Sequence, residues 1–331
     1  MKTRILGSDG PAVGAVGLGT MGMTGFANAP GMYGPVDHDE AVATIHRALE
    51  LGVNFLDTAE VYGPYTNEEL VGRALKGRRD QAVLATKFGF QIDESGKIAG
   101  MDGRPENAHR AVDASLRRLG VDHIDLWYLH RLDLAVPVEE TVGAMADAVQ
   151  AGKVRWLGMS EVSAATLRRA CNTHPITALQ TEYSFWERGL EDELVPTCEE
   201  LGVTIVAYCP LGRGFLGGNV ASADILPDTD YRRMDPRYSA ENHPRNQVIL
   251  DTLEQIAERY AISKAQVALA WLLHRDRRVV PIPGTKRRRY LEENAAAADI
   301  SLDADDLALL NGCDTVSGAR YSEASLATVN L

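Results

Sequence analysis

The sequence predicts an α/β fold, a (β/α)8 TIM barrel with an N-terminal β-hairpin and a long loop after its seventh strand, on three observations. Eight short apolar runs, mostly β-branched, alternate with segments of helical period in units of roughly 30 residues. Glycines stand just past four of the helical segments, where a left-handed cap would stop them. The chain of 331 residues is long enough for a barrel of about 250 residues with insertions, so residues 1–331 are expected to form one barrel domain.

The elements follow in order. Arg4-Ile5-Leu6, a turn at Gly7-Ser8-Asp9-Gly10 and a return through Val13 read as the hairpin. Barrel strands are expected at Ala15–Leu18, Val53–Asp57, Ala82–Thr86, Ile124–Leu129, Val154–Gly158, Ala178–Gln180, Val203–Ala207 and Val279–Ile282. Between them run helical patterns such as Ala41, Ile45, Ala48 and Leu49, or Ala111, Ser115, Leu116 and Leu119, with Gly52, Gly120, Gly152 and Gly202 as stops. The rhythm breaks once, from Gly212 to Pro244, a stretch rich in Gly, Asp, Arg and Pro. A loop there lies over the face where barrels do chemistry, which makes it either a lid or cofactor clasp or an insertion without order.

Composition narrows the function. With 34 Lys and Arg against 46 Asp and Glu the net charge is −12, which repels polyanions and speaks against nucleic acid or an anionic membrane as partner. A hydrophobic share of 45% is globular, and no window approaches the ~20 continuous apolar residues of a membrane span or carries a signal peptide. Cys171, Cys198, Cys209 and Cys313 form no CxxC motif and read as reduced thiols, so the cytoplasm is the expected compartment.

In a barrel the chemistry stands at the C-terminal ends of the strands. Asp57 ends the second strand and Tyr62 follows it; Lys87 ends the third; His130 ends the fourth. A buried Lys needs a counter-ion, which Asp57 supplies, and a nearby ammonium is expected to lower the pKa of the Tyr62 phenol from ~10. With His130 beside the same substrate oxygen, this is a carbonyl-polarising acid that needs an external hydride donor. The eight histidines include no HxH or HExxH pair, so no metal is expected. Phe26, Tyr33, Phe88, Trp127 and Trp186 are either walls of an apolar substrate pocket or core.

These residues, with Gly17-Leu18-Gly19-Thr20-Met21, Asp57-Thr58-Ala59 to Tyr62-Gly63, Thr86-Lys87, Leu129-His130, Gly158-Met159-Ser160, Gln180-Thr181-Glu182-Tyr183-Ser184, Pro210 to Gly214 and Ile282 to Lys286, resemble the aldo-keto reductases. The similarity runs in order along essentially the whole chain. It includes the family's catalytic tetrad at Asp57, Tyr62, Lys87 and His130, and the late loops resemble the bacterial and plant-type branch.

The resemblance implies NADPH (or NADP+) lying extended across the barrel mouth, consistent with the absence of a GxGxxG fingerprint after Gly17-Leu18-Gly19. It implies that Gly19, Thr20, Met21 and Asp57 line the cofactor, that Ser160 and Gln180 hold the carboxamide, and that Tyr208 stacks on the nicotinamide. Pro210, Leu211, Gly212, Arg213 and Gly214 would follow the pyrophosphate, Arg213 supplying charge. Gly284, Thr285, Lys286, Arg289, Glu293 and Asn294 would take the adenosine end, where the four cations from Lys286 to Arg289 favour a 2′-phosphate without singling out which one touches it. Glu161 and Tyr290 stand where many members carry Asn and Arg. The implied activity is reversible, NADPH-dependent reduction of a small aldehyde or ketone. Its alternative is a nucleotide-binding regulatory subunit with vestigial turnover; substrate and oligomeric state are open.

Overall fold

The computed structural model describes residues 1–27, 33–218, 226, 230–313, 316–321, 323–326 and 329. The hairpin forms from β1 (Thr3–Ile5) and β2 (Ala12–Gly14), Thr3 opposite Gly14. All eight expected barrel strands are present: β3 (Leu18–Gly19), β4 (Phe55–Asp57), β5 (Val83–Phe88), β8 (Ile124–Leu129), β9 (Val154–Ser160), β10 (Ala178–Glu182), β11 (Thr204–Tyr208) and β12 (Val279–Pro281). Every neighbouring pair is parallel, in chain order. The first and last strands close the barrel through a parallel bridge between Gly19 and Gly284 and a bond from the Gly17 N–H to the Pro281 carbonyl (2.9 Å).

Alternation along each strand divides the core into two layers. Phe55, Val83, Ala85, Leu126, Tyr128, Val206 and Val280 fill the barrel interior, and Leu6 and Val13 of the hairpin plug its lower end. Their strand neighbours face outward under the helices α1 (His38–Glu50), α2 (Thr66–Leu75), α3 (Pro105–Leu119), α4 (Val138–Gln150), α5 (Ala164–Thr173) and α6 (Leu194–Leu201). The Asp37 carboxylate caps α1 by accepting from Asp39 and Glu40 N–H groups. The four predicted stops, Gly52, Gly120, Gly152 and Gly202, all take positive φ (79°, 64°, 72° and 69°), a region that costs a side chain.

Two features go beyond the sequence reading. A second hairpin, β6 (Phe90–Ile92) and β7 (Ile98–Met101), follows β5 at the barrel mouth. After β11 the chain makes two helices, α7 (His243–Tyr260) and α8 (Lys264–Arg275), before β12, and α9 (Arg288–Ala296) and α10 (Ala304–Asn311) follow it. In the predicted long loop, residues 219–225 and 227–229 lie outside the described residues. Its flanks are ordered: Tyr238 is buried and donates to the Gly212 carbonyl (2.8 Å). Among the described residues no helix is long and apolar enough to cross a membrane.

Candidate active site

The four strand-end residues meet where the sequence places them. Lys87, buried completely on β5, donates to Asp57 Oδ1 (2.5 Å), the Thr58 carbonyl (2.9 Å) and Tyr62 Oη (3.0 Å). All three ammonium protons therefore have acceptors. Asp57 Oδ2 accepts from Gln180 Nε2 (2.8 Å), so the carboxylate is held from both sides. Tyr62 accepts from Lys87, and among the described residues no protein group accepts the phenol's own proton. His130 follows β8 and packs edge-on against Phe90 (centroids 4.9 Å apart) and Tyr62 (5.9 Å). Its Nδ1 is buried without a partner among the described residues.

Electrostatics corrects one expectation. Burial, reinforced by Asp57, holds the Tyr62 phenol well above its ordinary pKa rather than below it. The physical reason is that Asp57 neutralises Lys87, so the phenol sees a dipole rather than a bare cation in a dry site. Burial pushes the Asp57 carboxyl up and the Lys87 ammonium down, each against the attraction of the other. Burial, then Lys87 and Arg131, push His130 well below the usual imidazole range, which leaves it neutral.

The turn carrying Asp57 and Tyr62 is held by a residue that the sequence reading missed. Asn67, fully buried at the start of α2, accepts from the Thr58 and Thr20 hydroxyls (2.7 and 2.5 Å) and donates to the Thr20 carbonyl and Thr24 Oγ1 (2.9 and 2.8 Å). Thr20, expected to line the cofactor, thus has its hydroxyl engaged in this lock. Nothing in local spacing marks Asn67, since its partners come from two separate segments, Thr20 to Thr24 and Thr58.

The expected cofactor residues lie along one rim. Gly19 and Gly284 sit back to back, where a Cβ on Gly19 would meet the Ile282 carbonyl at 3.0 Å, and Met21 lies beside them in a short turn, Met21–Met23. Ser160 is buried at the end of β9 and accepts from Arg131 Nη1 (3.3 Å). Tyr208, at the end of β11, shares a hydrogen bond with Tyr321 Oη (2.8 Å) and accepts from Arg320 (2.8 Å), so residues 320–321 cross over this strand end. Pro210 and Leu211 lead into a turn in which Gly212, Arg213 and Gly214 have φ of 53°, 55° and 97°.

Arg213, expected to supply charge to the pyrophosphate, is held by carboxylates. It is buried, ion-paired with Asp235 (2.8 Å) and Glu182 (3.4 Å), and its charge is already balanced. Glu161 also has a defined role: buried with φ of 54°, it accepts from Glu182 N–H (3.0 Å) and Thr181 Oγ1 (3.1 Å) and pairs with Arg320. Against its burial, Arg320 and Arg131 hold its carboxyl below the usual range.

The basic run separates into tied and free cations. Lys286 donates to the Tyr33 and Gly34 carbonyls (2.9 Å each), and Arg288 pairs with Glu40 (2.9 Å). Arg287 and Arg289 are exposed, and no described carboxylate pairs with either. Thr285 Oγ1 accepts from the Arg287 N–H (3.2 Å), the Glu293 carbonyl accepts from Gln266, and Asn294 is buried in α9.

Of the aromatic residues weighed as pocket walls, Phe26 lies near Tyr62 (6.0 Å) and Tyr33 under Arg232 (5.4 Å). Phe88 and Trp127 do not: they stack at 4.3 Å in the outer core, because alternation turns them away from the interior that Lys87 and Tyr128 face. Trp186 is likewise buried, stacked on Phe215 at 4.6 Å.

The sequence model described as the Aldo/keto reductase family matches residues 15–315. The chain is similar to a glycerol dehydrogenase from Gluconobacter oxydans, at 30% identity over 93% of this chain and 94% of that one, with a TM-score of 0.84. It is similar to an aldo-keto reductase from Bacillus halodurans in its holo form, at 27% identity over 98% and 99%, with a TM-score of 0.76. An aldo/keto reductase from Klebsiella pneumoniae in complex with NADP and acetate shares 29% identity over 94% of this chain and 95% of that one, with a TM-score of 0.71.

Proposed function

The chain belongs to the aldo/keto reductase family, and from that premise we propose that it reduces small aldehydes or ketones to alcohols with NADPH, Tyr62 acting as the general acid. The observation that carries the reading is the polarity of Tyr62: its oxygen accepts from Lys87 while its own proton has no described protein acceptor.

The residues at the rim fit NADP(H). The left-handed turn at Gly212–Gly214 presents backbone where a side chain would crowd, a Cβ on Gly212 meeting the Trp186 ring at 2.5 Å. Arg287 and Arg289 are uncommitted cations at the start of α9, which suits a 2′-phosphate. Ser160 and Gln180 would hold the carboxamide, Tyr208 would face the ring, residues 210–214 would follow the pyrophosphate, and Gly284, Thr285, Glu293 and Asn294 would take the adenosine end. Lys286, which donates to the Tyr33 and Gly34 carbonyls, would stand with them at the adenosine end. Bound there, the reduced cofactor supplies the hydride.

The chain's own residues handle the proton. Tyr62 gives its proton to the carbonyl oxygen as negative charge develops there, and Lys87 stabilises the phenolate left behind. A high phenol pKa does not prevent this, because an alkoxide is the stronger base. His130, neutral, offers a hydrogen bond to the same oxygen and orients it. The four cysteines are free, which suits the cytoplasm.

The test follows NADPH absorbance, with NADH in parallel, against methylglyoxal, aliphatic and aromatic aldehydes, pyridoxal and a sugar. Glycerol is run in reverse with NADP+, since the Gluconobacter relative is a glycerol dehydrogenase. Sustained turnover that prefers NADPH and is lost in Tyr62→Phe supports the reading. Turnover retained in Tyr62→Phe refutes the assigned acid, and tight NADPH binding with no turnover favours the regulatory alternative.

A further inference from the structure

A cleft of about 470 Å³ opens on the flank of the barrel, between α3 and the β6–β7 hairpin, and neither Tyr62 nor His130 lines it. Its two sides differ in chemistry. The hairpin side carries the apolar Phe90 and Ile92, with Gln91 between them in sequence. The helix side is cationic, because Arg110, Arg117 and Arg118 project from one face of α3, seven and eight residues apart.

The cations are not equivalent. Arg118 pairs with the buried Glu68 and Arg104 with Asp102, but no described carboxylate pairs with Arg110 or Arg117. Among the described residues Arg110 bonds only Asn107 Oδ1 (2.7 Å). On the floor lies Glu60, 7% exposed, whose Oε1 accepts from the Gly89 N–H (3.1 Å) while no described group bonds Oε2. Burial, with the neighbouring Glu68 charge, pushes its carboxyl up to about 8 against the opposing Gly89 bond and the fields of Arg118 and Arg110. The floor is thus a proton donor near neutrality, in a cleft that Arg110 and Arg117 also line.

We propose that this cleft binds a small organic phosphate dianion, its head between Arg110, Arg117 and Glu60 and its apolar body against Phe90 and Ile92. Two uncommitted guanidinium groups match two negative charges, and a protonated carboxyl donates to a phosphate oxygen where a carboxylate would repel it. The site is distinct from the rim that holds Arg287 and Arg289. Phe90 is the partition, presenting its other side to His130.

The experiment is calorimetric titration of the full chain, saturated with NADP+, with phenyl phosphate at pH 7. Saturable binding is expected in wild type, weakened at least tenfold in Arg110→Gln/Arg117→Gln and unchanged in Arg289→Ala, which removes a candidate 2′-phosphate cation instead. Because both arginines are exposed, the double variant keeps its fold, checked by an unchanged urea midpoint. Affinity in wild type falls as pH rises from 7 to 9, where the probe's own charge is constant, and Glu60→Gln abolishes that fall. No saturable binding in wild type, or binding unchanged in the double variant, overturns the proposal.

Discussion

Replacing Asp57 by Asn is the sharpest test of the buried Lys87 ion pair. Both groups are sealed, at 0% and 2% side-chain exposure, and Asp57 receives two donors, Lys87 Nζ on one oxygen and Gln180 Nε2 on the other. Asparagine offers one acceptor and one donor, so either the ammonium or the amide must face an N–H group. Removing one partner of a buried pair costs about 3–5 kcal/mol, a large share of the ~5–15 kcal/mol that a typical protein has. Burial already lowers the Lys87 pKa, and without its counter-ion the lysine falls further below its unfolded value of ~10.4. The unfolded chain then binds the extra proton, so the deficit shrinks as pH rises, by about 1.4 kcal/mol per unit while the native lysine is neutral and the unfolded one charged. Urea unfolding of wild type, Asp57→Asn and Asp57→Asn/Lys87→Met at pH 7 and 9 measures this. The second substitution should restore most of the loss, since an apolar pair tolerates the site that a lone charge does not. A deficit under about 1 kcal/mol in the single variant, or one equal at both pH values, would refute the reasoning.

The other predictions concern separate parts of the molecule. Because burial keeps His130 neutral well below the usual range, its imidazole signals should not titrate by NMR between pH 5.5 and 8, and any stability it contributes is lost only as pH falls below the unfolded value of ~6.5. Arg289→Ala should raise the KM for NADPH by about tenfold while leaving that for NADH alone; Arg288→Ala should change neither, because Arg288 is held by Glu40. Gly158→Ala places a Cβ 2.3 Å from the Tyr128 ring and should cost about 1–3 kcal/mol in urea unfolding. Arg320→Ala leaves Glu161 and Glu182 short of a partner and should speed amide exchange in residues 316–321, read by mass spectrometry.

The barrel was legible because its signals are local. Strand runs, helical periods and terminal glycines each follow from a few consecutive residues, and seven barrel strands lie where those patterns put them, while the first, Leu18–Gly19, begins at the last residue of its expected run. The Asp57, Tyr62, Lys87 and His130 cluster was legible for the same reason once the barrel was assumed, since strand ends converge. The β6–β7 hairpin was not, because Gln91 to Gly100 is mostly polar around Ile92 and Ile98 and carries no sustained alternation that separates it from a loop. Asn67 and Arg131 were invisible because the partners that matter, Thr20 and Thr24 for one and Ser160 for the other, lie tens of residues away. The raised Tyr62 pKa depends on desolvation, which no spacing encodes.

The carboxylates around Arg213 belong to a network that extends over the whole barrel mouth. Glu161, Glu182, Glu187 and Asp235 stand there against Arg131, Arg213, Arg237 and Arg320, four carboxylates among four guanidinium groups, nearly all buried. Buried ion pairs contribute little net stability compared with apolar packing of the same volume, but they penalise any arrangement that leaves one charge unpaired. The mouth also holds Glu161, Cys209 and Arg213 at positive φ, a backbone strain that persists only where surrounding contacts leave no alternative. The network supplies those contacts, linking the ends of β9, β10 and β11 to Asp235 and to Arg320. Charge at this face is therefore cross-linking first and ligand recognition second. Among the described cations that the network does not reach are Arg287 and Arg289 at the rim and Arg110 and Arg117 on the flank.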